Sequence, residues 1–464
     1  MTTLETDYLV IGAGAAGMAF ADELISDSDA DVVMVDRRHR PGGHWNDAYP
    51  FVRLHQPAPF YGVNSRRLGT DVIDTTGPNA GWYPRSSAGE ICDYFGHVLD
   101  ETLLPSGRVR FFGMCDYVGK KRDEHVFVSR LNGDETRVRA RRRVVDATYL
   151  ETPIPATHVP SFDIDPDARF IPVNDLVTIS EPARGYTVIG AGKTAMDACS
   201  WLLDNGVEPD AIRWIRPRDA WMLDRAHAQP LDLVTSIIED VAAQLEAAAE
   251  AESVGDLFAR LEANGHLIRL DERVEPTMYR CATVSTSELA QLRSIENVVR
   301  QGRVRAIGTD EIVLEAGTIP TDVAQVHVDC TAAGLRVSPG RPIFEDDRIT
   351  LQQVRICQPT FNAALVGYIE ASDRDDAERN RLCPPNPYPT AARDWIVGTH
   401  ISMSAQAAWN NDTDLMTWLA GNRLNATSAM NDHLGEPEMQ SALGRYLTNL
   451  EPGLANLEKF AATR

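Results

Sequence analysis

Two stretches of the chain repeat one hydrophobic pattern. Tyr8-Leu9-Val10-Ile11 is a short apolar run that stops at Gly12, and Tyr186-Thr187-Val188-Ile189 stops the same way at Gly190. After each glycine turn the apolar positions take up the three- and four-residue spacing of a helix. Met18, Phe20, Ala21, Leu24 and Ile25 mark the first helix; Met196, Cys199, Leu202 and Leu203 mark the second. Each unit then returns to a strand, Asp31–Asp36 in the first and Ala211–Arg216 in the second. The pattern predicts an α/β protein with two Rossmann-like dinucleotide-binding domains.

The remaining segments predict how these halves join. Arg137–Ala147 reads as a strand reaching Asp146-Ala147-Thr148, and the proline-rich stretch Pro153–Pro182 as an irregular linker. Ser236–Glu262, rich in Ala, Glu and Leu, predicts a helical insertion. Val326–Thr331 reads as a strand ending in the small-residue turn Ala332-Ala333-Gly334, and helices should follow the loop Pro384–Pro389. The expected boundaries are 1–165 for the first part of one nucleotide domain and 166–325 for the second, with its insertion over 230–300. Residues 326–464 should return to the first domain and end in a mainly helical segment.

Composition narrows the class. Over 464 residues, 45 Lys and Arg against 67 Asp and Glu leave a net charge of −22. Nucleic-acid binding is not expected, because it runs on clustered cations. The 7 cysteines form no C-x-x-C pair, which reads as reduced thiols of a cytoplasmic protein and argues against a disulfide reductase. Thr2–Tyr8 contains Glu5 and Asp7 rather than a basic leader, and no run approaches the ~20 apolar residues of a membrane span. No H-E-x-x-H or Cys/His cluster suggests a metal, and no G-x-S-x-G elbow suggests a hydrolase. The oligomeric state leaves no mark in the sequence.

The first glycine motif carries the chemistry of a dinucleotide. Gly12 permits the tight turn, Gly14 and Ala16 leave room for a pyrophosphate, and Gly17 lets helix and strand close together. The helix N-terminus attracts the phosphates, and Asp36 stands where a carboxylate accepts ribose hydroxyls, with Arg37 beside it. A dinucleotide fold near the start, followed much later by another, favours FAD here. Gly43 in Pro41-Gly42-Gly43-His44-Trp45 would let backbone lie against the flavin, with His44 and Trp45 as its wall.

Gly12–Gly17, Asp36, Gly-Gly-x-Trp at 42–45 and the second motif at 190–195 together resemble the class B flavin monooxygenases. The resemblance covers residues 5–335. It implies tightly held FAD, NADPH as reductant, and oxygen activation as a flavin C4a-(hydro)peroxide. It further implies that Arg53, His55 and Gln56 face the isoalloxazine, as the candidate catalytic residues. Thr148 and Ala333-Gly334 would take the strand ends that approach the cofactors. His158-Val159-Pro160-Ser161-Phe162 fits the second half of the family's linker signature, whereas Thr152 and Ile154 stand where Phe and Gly are usual.

The second motif, Gly190-Ala191-Gly192-Lys193-Thr194-Ala195, is G-x-G-x-x-A. A P-loop would need glycine at position 187, which is Thr187. No acid closes the following strand; Arg216 and Arg218 lie there, and a guanidinium suits the 2′-phosphate of NADPH. The expected function is therefore an FAD-dependent, NADPH-reduced monooxygenase acting on a small organic substrate with molecular oxygen. The alternatives are a flavin oxidoreductase without oxygen insertion and a non-catalytic FAD/NADPH-binding redox sensor.

Overall fold

Leu9 and Val10 are buried on opposite faces of their strand, as are Val32 to Val35 on the next, so these strands must lie inside a covered sheet. The computed structural model, which describes residues 3–334 and 336–462, places them there. Strand Thr3–Ile11 sits inside an eight-stranded sheet, parallel to Val32–Val35 on one side and to Glu135–Asp146 on the other. Val109–Phe112 extends one edge, and Arg348–Thr350 with Phe344–Glu345 extends the other. Glu124–Ser129 and Cys115–Lys121 form an antiparallel flap on Glu135–Asp146.

Helix Ala15–Asp27 covers this sheet and packs against helix Pro359–Ala371. The approach is closest at Gly367, where a Cβ would come within 2.9 Å of the Phe20 carbonyl oxygen. The last third of the chain thus completes the first nucleotide-binding half.

The second half is a five-stranded parallel sheet, ordered Val298–Val299, Ile212–Ile215, Gly185–Ile189, Gln325–Asp329, Phe170–Pro172. This order corrects two expected boundaries. Gln325–Asp329 pairs with Gly185–Ile189, so the chain leaves the second domain after residue 330 rather than at 326. Asp163–Ile164 pairs with Val304–Ile307, so the second domain begins before 166, and the expected linker is partly folded into it.

The insertion is also more than helical. Helices Thr235–Glu250 and Val254–Ala263 stand where expected, but a three-stranded sheet of Ala220–Asp224, Leu267–Ile268 and Met278–Val284 accompanies them. Helix Pro437–Ala462 lies along Thr235–Glu250 and ties the C-terminal end to the insertion.

The expectation of seven reduced thiols fails in one place. Cys281 and Cys357 form a disulfide across 76 residues, with Cα atoms 5.9 Å apart, and the other five cysteines are buried and free. A search for nearby C-x-x-C pairs cannot see a bond made by tertiary packing. Among the described residues no helix is long and apolar enough to cross a membrane.

Candidate functional site

The first cavity follows the first glycine motif. It measures about 350 Å³ and is lined at one end by Asp36, Arg37 and Arg38, along its middle by Gly12, Gly14, Ala15 and Ala16, and at the far end by Gly43, His44, Tyr61, Gln353 and Pro359. Gly14 and Gly43 face one another: a Cβ on Gly43 would lie 2.9 Å from the Gly14 Cα, so two backbone segments meet where any side chain would obstruct. Gly17 does not line the cavity; it presses directly on the Gly12 carbonyl and sets the helix–strand distance. Asp36 is held in place by the backbone N–H groups of Ala13 and Arg38, each donating at 2.7 Å to a different carboxylate oxygen. Arg37 pairs with Glu151 across the mouth.

Both nucleotide halves end a strand with the same device. Thr148 donates its backbone N–H and its hydroxyl to Asp146, at 3.0 and 2.8 Å, beside Gly12. Thr331 does the same to Asp329, at 2.9 and 2.6 Å. His158 Nε2 lies 3.2 Å from the Thr331 hydroxyl, which places the linker histidine against the second half.

A larger cavity of about 720 Å³ opens from the far end of the first, sharing His44, Tyr61, Gln353 and Pro359 with it. Its wall is largely apolar, with contributions from the helices and three-stranded sheet of the insertion and from the C-terminal helices. His55 and Gln56 line it, as the resemblance implies, and so does Trp45, whose indole N–H donates to the Tyr61 hydroxyl at 2.8 Å. Burial pushes His55 down to about 3, and Lys193, Arg225 and Arg85 add to the effect. Burial and Arg38 push His44 down to about 4. Both rings are therefore neutral at physiological pH.

Arg53 is the exception in its segment. It is exposed, does not line either cavity, and donates from its guanidinium to the Arg85 carbonyl at 3.0 Å. Its backbone pairs with Ser87, and that pairing turns the side chain outward.

Two cavity residues give no warning in the sequence. Arg355 lies deep in the large cavity, donating to Asn425 Oδ1 at 2.9 Å and Gln406 Oε1 at 2.8 Å, with its guanidinium over the rings of Phe361 and Trp409. Burial pushes it down to about 10, and among the described residues no carboxylate pairs with it. His266, on the same wall, receives the Trp395 indole N–H at Nε2, 3.0 Å away. Its proton therefore sits on Nδ1, facing both Asp240 oxygens at 3.0 Å.

The second glycine motif forms a similar cradle. At Gly190, with φ +144°, a Cβ would meet the Cys330 carbonyl oxygen at 2.5 Å, whereas the space beside Gly192 is open. Helix Lys193–Asp204 starts there, with Thr194 in its first turn. Lys193 and Arg216 are not free for a ligand. Lys193 pairs with Asp197, which also accepts from the Tyr49 hydroxyl at 2.7 Å. Arg216 is buried, pairs with Asp219 and lies 4.8 Å from the Trp214 ring centroid. Arg218 is exposed; partial burial of its guanidinium pushes its pKa down, and the charges of Arg303 and Arg280 add to the effect. Ala333 is exposed, and Gly334 lies near the Tyr388 hydroxyl.

Residues 10–57 match the NAD(P)-binding Rossmann-like domain family. The chain is 48% identical over 424 residues to "Uncharacterized protein Rv2000" of Mycobacterium tuberculosis, covering 91% of this chain and 78% of that protein. It is equally similar to the Mycobacterium bovis protein Mb2023, over the same shares. Among solved structures, cyclohexanone-bound cyclohexanone monooxygenase shares the fold at TM-score 0.52 and 13% identity, over 82% of this chain and 92% of that one. Oxidized steroid monooxygenase bound to NADP shares it at TM-score 0.51 and 13% identity, over 79% and 85%. The chain belongs to the family of these mycobacterial proteins and shares the fold of the cyclohexanone and steroid monooxygenase structures.

Proposed function

We propose that the protein is an FAD-dependent, NADPH-reduced oxidoreductase, specifically a monooxygenase that inserts one atom of dioxygen into a small organic substrate. The observation that carries this reading is the junction at His44, Tyr61, Gln353 and Pro359, where the nucleotide cavity opens into a large, mostly apolar one. An electron-transferring flavoprotein needs little space there. A monooxygenase needs a dry chamber for its substrate.

The residues present fit FAD. Asp36 would hold the adenosine ribose, the backbone at Gly12, Gly14 and Ala16 the pyrophosphate, and the residues shared by the two cavities the flavin end. Bound there, the flavin supplies hydride acceptance from NADPH and activation of oxygen at C4a. His55 and Gln56 then face the reacting end. Gln56 offers an amide donor, while His55 stays uncharged and brings no ionised proton source into the chamber. The cradle at Gly190, Gly192 and Thr194 would hold NADPH, with Arg218 and Arg303, rather than Arg216, available to its 2′-phosphate.

Arg355 narrows the substrate. A deep cation with only neutral partners costs stability unless a ligand compensates it. The substrate on this reading carries an anionic group that meets Arg355, and an apolar body that fills the chamber.

The test compares NADPH consumed with hydrogen peroxide released as organic acids of graded size are added. A substrate should accelerate NADPH consumption and make peroxide fall below it, with an oxygenated product closing the balance. Peroxide equal to NADPH under every condition would exclude insertion.

A further inference from the structure

The disulfide lies on the wall of the large cavity and touches one of the residues that the two cavities share. Cys281 and Cys357 both line the large cavity, and Cys357 stands four residues after Gln353 and two before Pro359, which line both. Its backbone N–H donates to Gln353 Oε1 at 2.9 Å. The other five cysteines are fully buried, whereas Cys281 and Cys357 are partly exposed and line the cavity while packing against the core around Trp221, Tyr279 and Trp395.

Two separate departures from regular backbone aim them there. Cys281 sits in strand Met278–Val284 where the pairing with Ala220–Asp224 slips register, and its φ is +57°. Cys357 has φ +65° just before helix Pro359–Ala371. Left-handed backbone is unfavourable for a side-chain-bearing residue and gathers at functional positions. A buried structural staple has no need of it at both ends.

The surroundings suit a thiolate. Cys357 precedes the first turn of a 13-residue helix, whose amide dipoles favour negative charge. The Tyr279 hydroxyl lies 3.8 Å from Cys357 Sγ, within reach of sulfur as a donor.

We propose that Cys281–Cys357 is a redox-active disulfide that takes electrons from the reduced flavin. In the step, the S–S bond breaks and accepts two electrons and two protons, giving two thiols, while dihydroflavin loses the same and becomes oxidised flavin. NADPH restores the dihydroflavin. The chain then stores four electrons rather than two. Reduction also cuts the covalent tie between the insertion, which carries Cys281, and the first nucleotide half, which carries Cys357. The inference rests on the flavin site proposed above.

The experiment counts thiols. The purified holoprotein is incubated anaerobically with NADPH, quenched, unfolded and alkylated, and the adducts are mapped by mass spectrometry. Expected are five alkylated cysteines per chain before reduction and all seven after it, the two new adducts being on Cys281 and Cys357. Full reduction should consume about two NADPH per flavin, falling to about one in the C281S/C357S variant. FAD-stripped protein treated with NADPH should remain at five. Flavin bleaching with the count unchanged at five would overturn the proposal, as would seven thiols in the protein as isolated in air. A parallel sample is reduced by light and a deazaflavin. If NADPH does not bleach the flavin, the NADPH assignment fails, and the photoreduced sample still decides the disulfide by the same count.

Discussion

Arg216 and Asp219 form a buried ion pair, each side chain only 4% exposed, at the end of the strand where the second nucleotide unit would meet its ligand. Asp219 also accepts from Arg300 Nε at 2.9 Å. The guanidinium that occupies the usual 2′-phosphate position in the sequence is thus committed to the fold, and the neighbouring Arg218 is left available.

The two arginines should therefore separate in experiment. Arg218→Ala should raise the KM for NADPH roughly tenfold to a hundredfold, since a hydrogen bond to a charged group is worth about 1.5–3 kcal/mol, and leave the NADH value nearly unchanged. Arg216→Ala should instead lower stability by about 1–3 kcal/mol, because Asp219 keeps only Arg300. Steady-state kinetics with both nucleotides and thermal melts check the pair. Equal effects of Arg218→Ala on NADPH and NADH would contradict the assignment.

Arg355→Gln should have opposite effects on binding and on folding. Removing a deep cation that lacks a carboxylate partner should leave the melting temperature unchanged or higher. Its expected cost is tenfold to a hundredfold in KM, on the order of 1.5–3 kcal/mol, for substrates with an anionic group and little for neutral analogues. Melting curves and KM values for matched acid and amide substrates measure both.

Glu23 links helix Ala15–Asp27 to the C-terminal segment through Trp418 and Asn422. Burial pushes its carboxyl up to about 8 from an ordinary 4.5, with Asp27 and Asp22 contributing. Between those values the folded chain holds a proton that the unfolded chain releases, so stability falls as pH rises. In urea titrations, the unfolding free energy of the wild type relative to Glu23→Gln should fall by on the order of 3 kcal/mol from pH 5 to pH 8, a comparison in which the other titrating groups cancel.

His55 works in the other direction. Its folded pKa is depressed from 6.5 to about 3, so below 6.5 the unfolded chain binds a proton that the folded chain does not. Stability should fall with acid across that window. His55→Asn should flatten the acid limb of the stability profile between pH 6 and pH 4, as followed by denaturant titration.

Much of the fold is legible because it is written in local periods. The runs at 8–11 and 186–189 end at glycines that the backbone needs, and Asp36 and Gly43 reach the cavity because the strand–turn–helix unit fixes where they point. Arg53 escapes the same logic, since a single bridge to Ser87 turns its side chain away from His55 and Gln56. A boundary at 326 puts the strand at 325–329 in the wrong half, because a strand's own residues do not name its neighbour; its pairing with Gly185–Ile189 does. Cys281 and Cys357 are brought together only by the packing of the insertion on the first domain. Asp219 stands three residues beyond Arg216, and that spacing is the one sequence signal that the arginine is committed to the fold.

The most direct test of the central claim is a rapid-mixing experiment on the flavin. The holoprotein is reduced anaerobically with NADPH and then mixed with oxygenated buffer while its absorbance is followed. The proposed function requires that the flavin bleach on NADPH addition. On oxygen it requires a transient near-ultraviolet absorption before the oxidised spectrum returns, with a lifetime that a substrate shortens. Bleaching followed by direct return of the oxidised spectrum, with peroxide released and no transient, would contradict it.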